Sequence, residues 1–181
     1  DQFGLLKVGP ESAGAEPGPA SYDQGGEVAA VTDADVLLGM LDPNSFLGGD
    51  MPLNESKAKE AVSVISEKLD LSEIETAAGI HEVVNQNMSA AARMHGVERG
   101  IDLRGITLLA FGGAGPVHAC GVAELLESSK VIFPVNASVL SAFGTLVSPV
   151  RIDLARSKPM LLNNLDESVR DALLEELRIE G

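Results

Sequence analysis

A chain of 181 residues, 45% apolar and 22% charged, is long enough for one ordinary domain with a real core and too apolar for a disordered tail. Only 3% of it is aromatic, with no Trp and one Tyr, so it has no aromatic platform for stacking bases and must build its core from Leu, Val, Ile and Ala. A formal net charge of −14 repels phosphate backbones and anionic lipid, which argues against nucleic-acid and membrane partners; any nucleotide must be held locally, by backbone amides.

The single cysteine, Cys120, cannot close an intramolecular disulfide, and in its apolar helical stretch it reads as a buried, inert thiol. A reducing cytoplasm suits that usage. No apolar run reaches the length of a membrane span, and the first residues carry no signal-peptide pattern. The sequence opens at Asp1 without an initiator Met, and Phe3 to Val8 reads as the end of an element under way. The chain is therefore expected to be a fragment.

Residues 9–30 are dense in Gly, Pro, Ser and Ala with no sustained period, which predicts a long irregular loop, either a functional one or a plain surface connector. Thr32 is placed to cap a short helix over Asp33 to Leu41, with Gly39 and Pro43 discouraging continuation. A second helix is expected from about Asn54 to Leu69, with Ala58, Ala61, Val62, Ile65 and Leu69 as its apolar stripe. Ser72 and Glu75 have capping-box spacing, so a long third helix should start there and run toward His95, with Ile80, Val83, Val84, Asn87, Met88 and Ala91 on one face. Ile106 to Phe111 is short, apolar and preceded and followed by Gly, the pattern of a buried strand. A helix over Val117 to Leu126, a strand over Lys130 to Val135 and a helix over Ser138 to Leu146 then give a β-turn-α-β-α order. That order implies a parallel pair joined by a crossover, with ligands at the carboxyl end of the first strand. Val150 to Ala155 is a candidate further strand, and Asp166 to Ile179 reads as an amphipathic terminal helix.

The strongest chemical signal is Gly112-Gly113-Ala114-Gly115-Pro116, between a strand and a helix. Glycines there let a ligand approach the backbone, and the helix start presents N–H groups to an anion or a polar ring. It has neither the Lys-Ser/Thr pair of a P-loop nor the spacing of a dinucleotide fingerprint. A tight turn that needs glycine for packing would read the same. His118 follows in the first helical turn, where it could face nucleotide or metal, while His81 and His95 lie on the long helix. No pair has metal-ligand spacing, so no metal site is assigned. Asp33 and Asp35 read as first-turn partners of a helix dipole rather than a catalytic dyad. Glu11 and Ser12, in the irregular loop, are candidates for lining an active site. No His arrangement supports a serine nucleophile.

Five blocks in register, VGPESAGAEPGP, VTDADVLLGMLDPNSFLGG, VVNQNMSAAARMHGVERGIDLR, LLAFGGAGPVHA and VLSAFGTL, resemble the signature segments of the hydantoinase A/5-oxoprolinase family. The resemblance implies an α/β fold, the second lobe of an actin-like (ribonuclease H-like) ATPase with a mixed sheet and flanking helices. It would assign residues 1–160 to that lobe and 161–181 to a helical segment opening a following region. It implies use of ATP with Mg2+, and a nucleotide contact through Gly112, Gly113, Ala114, Gly115 and His118, with catalytic residues largely upstream. The family chemistry is ATP-dependent opening of a cyclic amide of hydantoin or oxoproline type, with a hydantoinase B-type subunit or domain as partner. The alternatives are a subunit of an ATP-dependent ketone carboxylase and a non-catalytic actin-like nucleotide-binding module. On this reading the 181 residues alone should not hydrolyse ATP. One departure stands out: where the family loop often reads Gly-Pro-Ala-Cys-Tyr-Gly, this chain has Gly18-Pro19-Ala20-Ser21-Tyr22-Asp23, which puts any role for that thiol in doubt.

Overall fold

The structure, a computed structural model, describes residues 5–159, 161, 163 and 166–181. It divides into two compact units, Asp1–Ser141 and Ala142–Gly181.

In the first unit three helices pack on one another: α1 (Val31–Leu37), α2 (Glu55–Leu69) and α3 (Glu73–Glu98). The short α1 is the wedge. Its Ala34 is buried against Ala77 and Ile80 of α3, with Leu6, Val8 and Ile65 around them. Two residues on, Val36 is buried with Leu53 and Ala58, against Tyr22 and Phe46. The expected stripe of α2 holds: Ala58, Ala61 and Val62 are buried, and Ile65 and Leu69 half-buried.

The caps explain where these helices begin. Asn54 Oδ1 accepts the Lys57 N–H to start α2, and Ser72 and Glu75 form the expected capping box at α3, in which each side chain accepts the other's backbone N–H. At α1 the expectation fails, because the helix starts at Val31 and Thr32 lies inside it. Its first turn is instead tied down by Asp33, whose Oδ2 accepts the Ala30 N–H at 2.8 Å. The same carboxylate takes the Ser21 N–H at 2.7 Å and the Ala20 N–H at 3.2 Å. Asp33 is fully buried, and these three backbone donors meet the cost of burying its charge. They also anchor the inner end of the 9–30 loop, which makes one 3-10 turn at Ala20–Tyr22.

The face of α3 differs from the one its apolar residues suggest. Thr76, Ala77, Ile80, Asn85, Ser89 and Gly96 are buried, whereas Asn87, Met88 and Ala91 are exposed. Small and polar residues line this face because α1, α2 and α4 (Gly115–Leu125) all pack on α3, and a close approach has no room for long side chains.

Strands β1 (Thr107–Leu109) and β2 (Lys130–Ile132) pair in parallel, with α4 between them in sequence and α5 (Leu140–Val147) following a 3-10 turn at Ala137–Val139. The β-turn-α-β-α order therefore holds, but two expectations need correction. Among the described residues the sheet is this parallel pair alone, not a mixed sheet. The strand at 106–111 is also not buried: Ile106, Leu109 and Phe111 are about half exposed, as are Ile132 and Phe133, and only Ala110 is covered. Cys120 is exposed rather than buried, because α4 turns His118, Ala119, Val122 and Ala123 inward and leaves Cys120 outside. Arg93 of α3 donates to the Leu125 carbonyl at the end of α4, joining the two helices there.

In the second unit, residues 150–155 form no strand; Arg151 pairs with Asp153 two residues away, a local contact that takes the place of a ladder. The terminal helix α6 (Glu167–Glu180) is capped by Asp166, which accepts the Ser168 N–H. Arg156 pairs with Glu180 at its far end. No helix among the described residues is long and apolar enough to cross a membrane.

Candidate functional site

The Gly-rich turn sits where the sequence puts it, at the carboxyl end of β1 and the amino end of α4. The Ala110 N–H donates to the Ile132 carbonyl, and the Gly112 N–H to the Ala137 carbonyl, both at 2.9 Å. The turn is thus tied to the β2 side at two points. Gly112 has φ +91°, a backbone that favours glycine. Gly113 and Gly115 differ: neither has positive φ, and a Cβ at either would meet no atom within 4 Å. Neither packing nor backbone conformation requires glycine there, and the space above the turn is open. Pro116 follows at the start of α4, where a missing N–H costs nothing, and no side chain caps this helix end.

His118 does not point into that open space. It is 3% exposed and turns down toward α3 and α1. Its Nδ1 lies 3.1 Å from Asn85 Oδ1, an acceptor, so Nδ1 carries the proton and donates. Its Nε2 faces Asp35 Oδ2 at 3.7 Å. Asp35 Oδ1 in turn accepts from His81 Nδ1 at 2.8 Å. The two imidazoles stack, with centroids 4.6 Å apart and planes inclined by 26°. Burial pushes the His118 pKa below its ordinary value; the Asp35 carboxylate works against that and the neighbouring His81 adds to it.

The structure thus separates two aspartates that the sequence reading treated alike. Asp33 serves the backbone, whereas Asp35 faces two histidines and is 4% exposed. Asp35 is therefore not a plain helix-dipole partner. His81, from the middle of α3, joins it; His95, near the end of the same helix, is exposed and takes no part. Residue spacing gives no sign of this cluster, since Asp35 and His81 are 46 positions apart and only the packing of α1 on α3 joins them. The one usable signal was periodicity, as residues 77, 81 and 85 share a face of α3.

Glu11 and Ser12 line a cleft of about 520 Å³ together with Leu6, Val8, Tyr22 and Ile80. Ser21, at the position where the resemblance led to an expected Cys, is fully buried, and its Oγ has no hydrogen-bond partner among the described residues. A hydroxyl in that setting is no exposed nucleophile.

Comparison with known proteins identifies the family of the chain. The chain is 41% identical over 184 aligned residues to the caprolactamase alpha subunit of Pseudomonas jessenii, covering all of the chain and 26% of that protein. It superposes on the crystal structure of the ATP-dependent caprolactamase with a TM-score of 0.78, over 100% of the chain and 27% of the other. The nucleotide-free structure of acetone carboxylase matches with a TM-score of 0.72 at 34% identity, over 80% of this chain and 21% of that one. 5-Oxoprolinase 1 of Arabidopsis thaliana is 36% identical over 160 residues, 79% of this chain and 13% of the enzyme. The chain therefore spans about a quarter or less of the relatives it matches. Residues 1–154 match the family model described as hydantoinase/oxoprolinase, and the chain, with its α/β fold and its Gly112–Gly115 turn, belongs to the hydantoinase/oxoprolinase family.

Proposed function

We propose that this chain is part of an ATP-dependent cyclic-amide hydrolase and supplies one wall of its nucleotide site. The observation that carries this reading is the Gly112 to Gly115 turn, at the carboxyl end of a parallel strand, with open space over Gly113 and Gly115. A bound nucleotide fits there: Gly113, Ala114 and Gly115 bring bare backbone to the ligand, and the N-terminus of α4 adds its dipole. His118, under the same turn, fixes the start of α4 against α3 rather than reaching up to the ligand. The support from relatives is the ATP-dependent caprolactamase, 41% identical over the whole chain.

ATP, with Mg2+, would supply a phosphoryl group for the ring amide oxygen, which makes an unreactive carbonyl open to water. The part this chain plays is positioning, by backbone donors that are fixed before the ligand arrives. A hydantoinase B-type subunit is the expected partner, since the caprolactamase relative is itself an alpha subunit. A cytoplasmic location suits a lone cysteine with no disulfide partner.

A second reading is an ATP-dependent ketone carboxylase subunit, favoured by the match to acetone carboxylase. Phosphate release by the full-length protein with its partner subunit separates the two. Mg-ATP turnover should rise with hydantoins, oxoproline or lactams and not with ketones plus bicarbonate. Stimulation by ketones alone would overturn the hydrolase reading in favour of the carboxylase.

A further inference from the structure

We propose that Asp35, His81 and His118 bind one divalent transition-metal ion of the zinc class, held by the carboxylate and one nitrogen from each imidazole. This site is separate from the nucleotide turn and does not depend on the reaction proposed above.

The donor set points to the metal class. Two imidazoles and one carboxylate suit zinc or a neighbouring first-row ion, whereas magnesium and calcium prefer shells of oxygen. The spacing fits as well. Bonds of about 2.0–2.1 Å in a tetrahedral shell put neighbouring ligand atoms about 3.3 Å apart. The separations are 2.8 Å from Asp35 Oδ1 to His81 Nδ1 and 3.7 Å from the other carboxylate oxygen, Oδ2, to His118 Nε2; taking one ligand atom from each residue, all three lie within 4.8 Å of one another, so a small inward shift seats the ion.

The hydrogen bonding around the cluster is arranged for a cation. With its proton on Nδ1 and donated to Asn85, neutral His118 turns a bare lone pair from Nε2 toward Asp35 Oδ2. Two acceptors then face each other at 3.7 Å inside the protein, too far for a hydrogen bond and with no proton between them. An ion seated there satisfies both, and Asn85 serves as the outer partner that fixes the tautomer of a metal-binding histidine. Burial favours the neutral ring, which is the form that ligates. When His81 Nδ1 takes the metal, the single proton of that ring moves to Nε2, so the metal replaces the 2.8 Å hydrogen bond without changing the charge of the imidazole.

The three ligands come from α1, α3 and α4, so the ion would pin three helices directly beneath the Gly-rich turn. His81, the most exposed of the three at 12% of its side chain, gives the way in. Three protein ligands leave a fourth position for water.

The test uses the full-length protein, stripped with a chelator and then given zinc chloride alone. Wild type should take up one more zinc per chain than His81→Phe, which keeps a ring against His118 but removes the donor. Its unfolding temperature should rise with zinc, while that of His81→Phe should not. Asn85→Ala should weaken zinc binding roughly 10- to 100-fold, and His95→Gln should leave it unchanged. Equal zinc content and equal thermal shift in wild type and His81→Phe would overturn the proposal. X-ray absorption at the zinc edge of wild type needs no variant to fold: scattering from two imidazoles is expected, and a shell without them would overturn it too.

Discussion

Gly121 on α4 and Asn85 on α3 meet so closely that an added Cβ at Gly121 would overlap the Asn85 amide nitrogen and stand 3.1 Å from its Cγ. The missing side chain gives Asn85 room to lie flat between the helices with Oδ1 aimed at His118. Gly121→Ala should therefore cost about 1–3 kcal/mol, the usual range for overpacking a tight contact. Chemical denaturation measures it, and an unchanged midpoint would mean that Asn85 moves aside freely.

Ser21 has a buried hydroxyl with no partner among the described residues, while its backbone N–H is held by Asp33. Ser21→Ala removes the unpaired group and keeps the backbone bond, so stability should rise by about 1 kcal/mol. Thermal unfolding is the check. A loss of stability would show that the hydroxyl has found a bond after all.

At the start of α3, Ser72→Ala should lower stability by about 1 kcal/mol through the lost cap. A pH dependence goes with it. Hydrogen bonds from the Ser72 hydroxyl and backbone N–H hold the Glu75 carboxyl below its ordinary value of 4.5. A lowered carboxylate pKa contributes stability that is present above the unfolded value and lost as pH falls through the folded one. The gap between wild type and Ser72→Ala should thus be full at neutral pH and narrow once the pH drops below about 4.5. Urea titrations at several pH values would show it; a constant gap would separate the cap from the carboxylate.

Gly113→Val should leave the fold intact, because nothing stands within 4 Å of the new Cβ and the backbone has no positive φ there. In the full-length protein it should weaken ATP binding at least tenfold, about 1.4 kcal/mol, by filling the space above the turn. Calorimetry with Mg-ATP gives the answer. A folded variant with unchanged affinity would place the nucleotide elsewhere.

How much of this was legible in the sequence depends on the range of the interaction. Asn54, Ser72 and the Gly-rich turn act within three or four positions, and the helices they open lie where the pattern puts them. Ile106 to Phe111 was legible as a strand but not in its exposure, because a mostly apolar run says what a strand would cover and not what covers it. Asn85 and Ser89 are buried on α3 although polar residues on a helix normally read as its solvent side. Asp35, His81 and His118 were individually visible, yet their meeting depends on how α1 and α4 lie across α3, which no local spacing encodes.

Asp33 grips the chain at Ala20, Ser21 and again at Ala30, so one carboxylate closes residues 21–30 into a ring much as a cross-link would. Closure entropy changes slowly with loop length, and residues 23–25 and 27–28 within the ring are exposed. Asp23 accepts from Asn54 Nδ2 at the cap of α2, and Gly26 lies against the Gly18 and Pro19 backbone, so only an insertion at residues 27–28 should have little effect on the helices. A single residue gained or lost between Ala30 and Asp33 would instead break the grip and free both ends together. The stretch thus has slack at its outermost residues and none at its anchor.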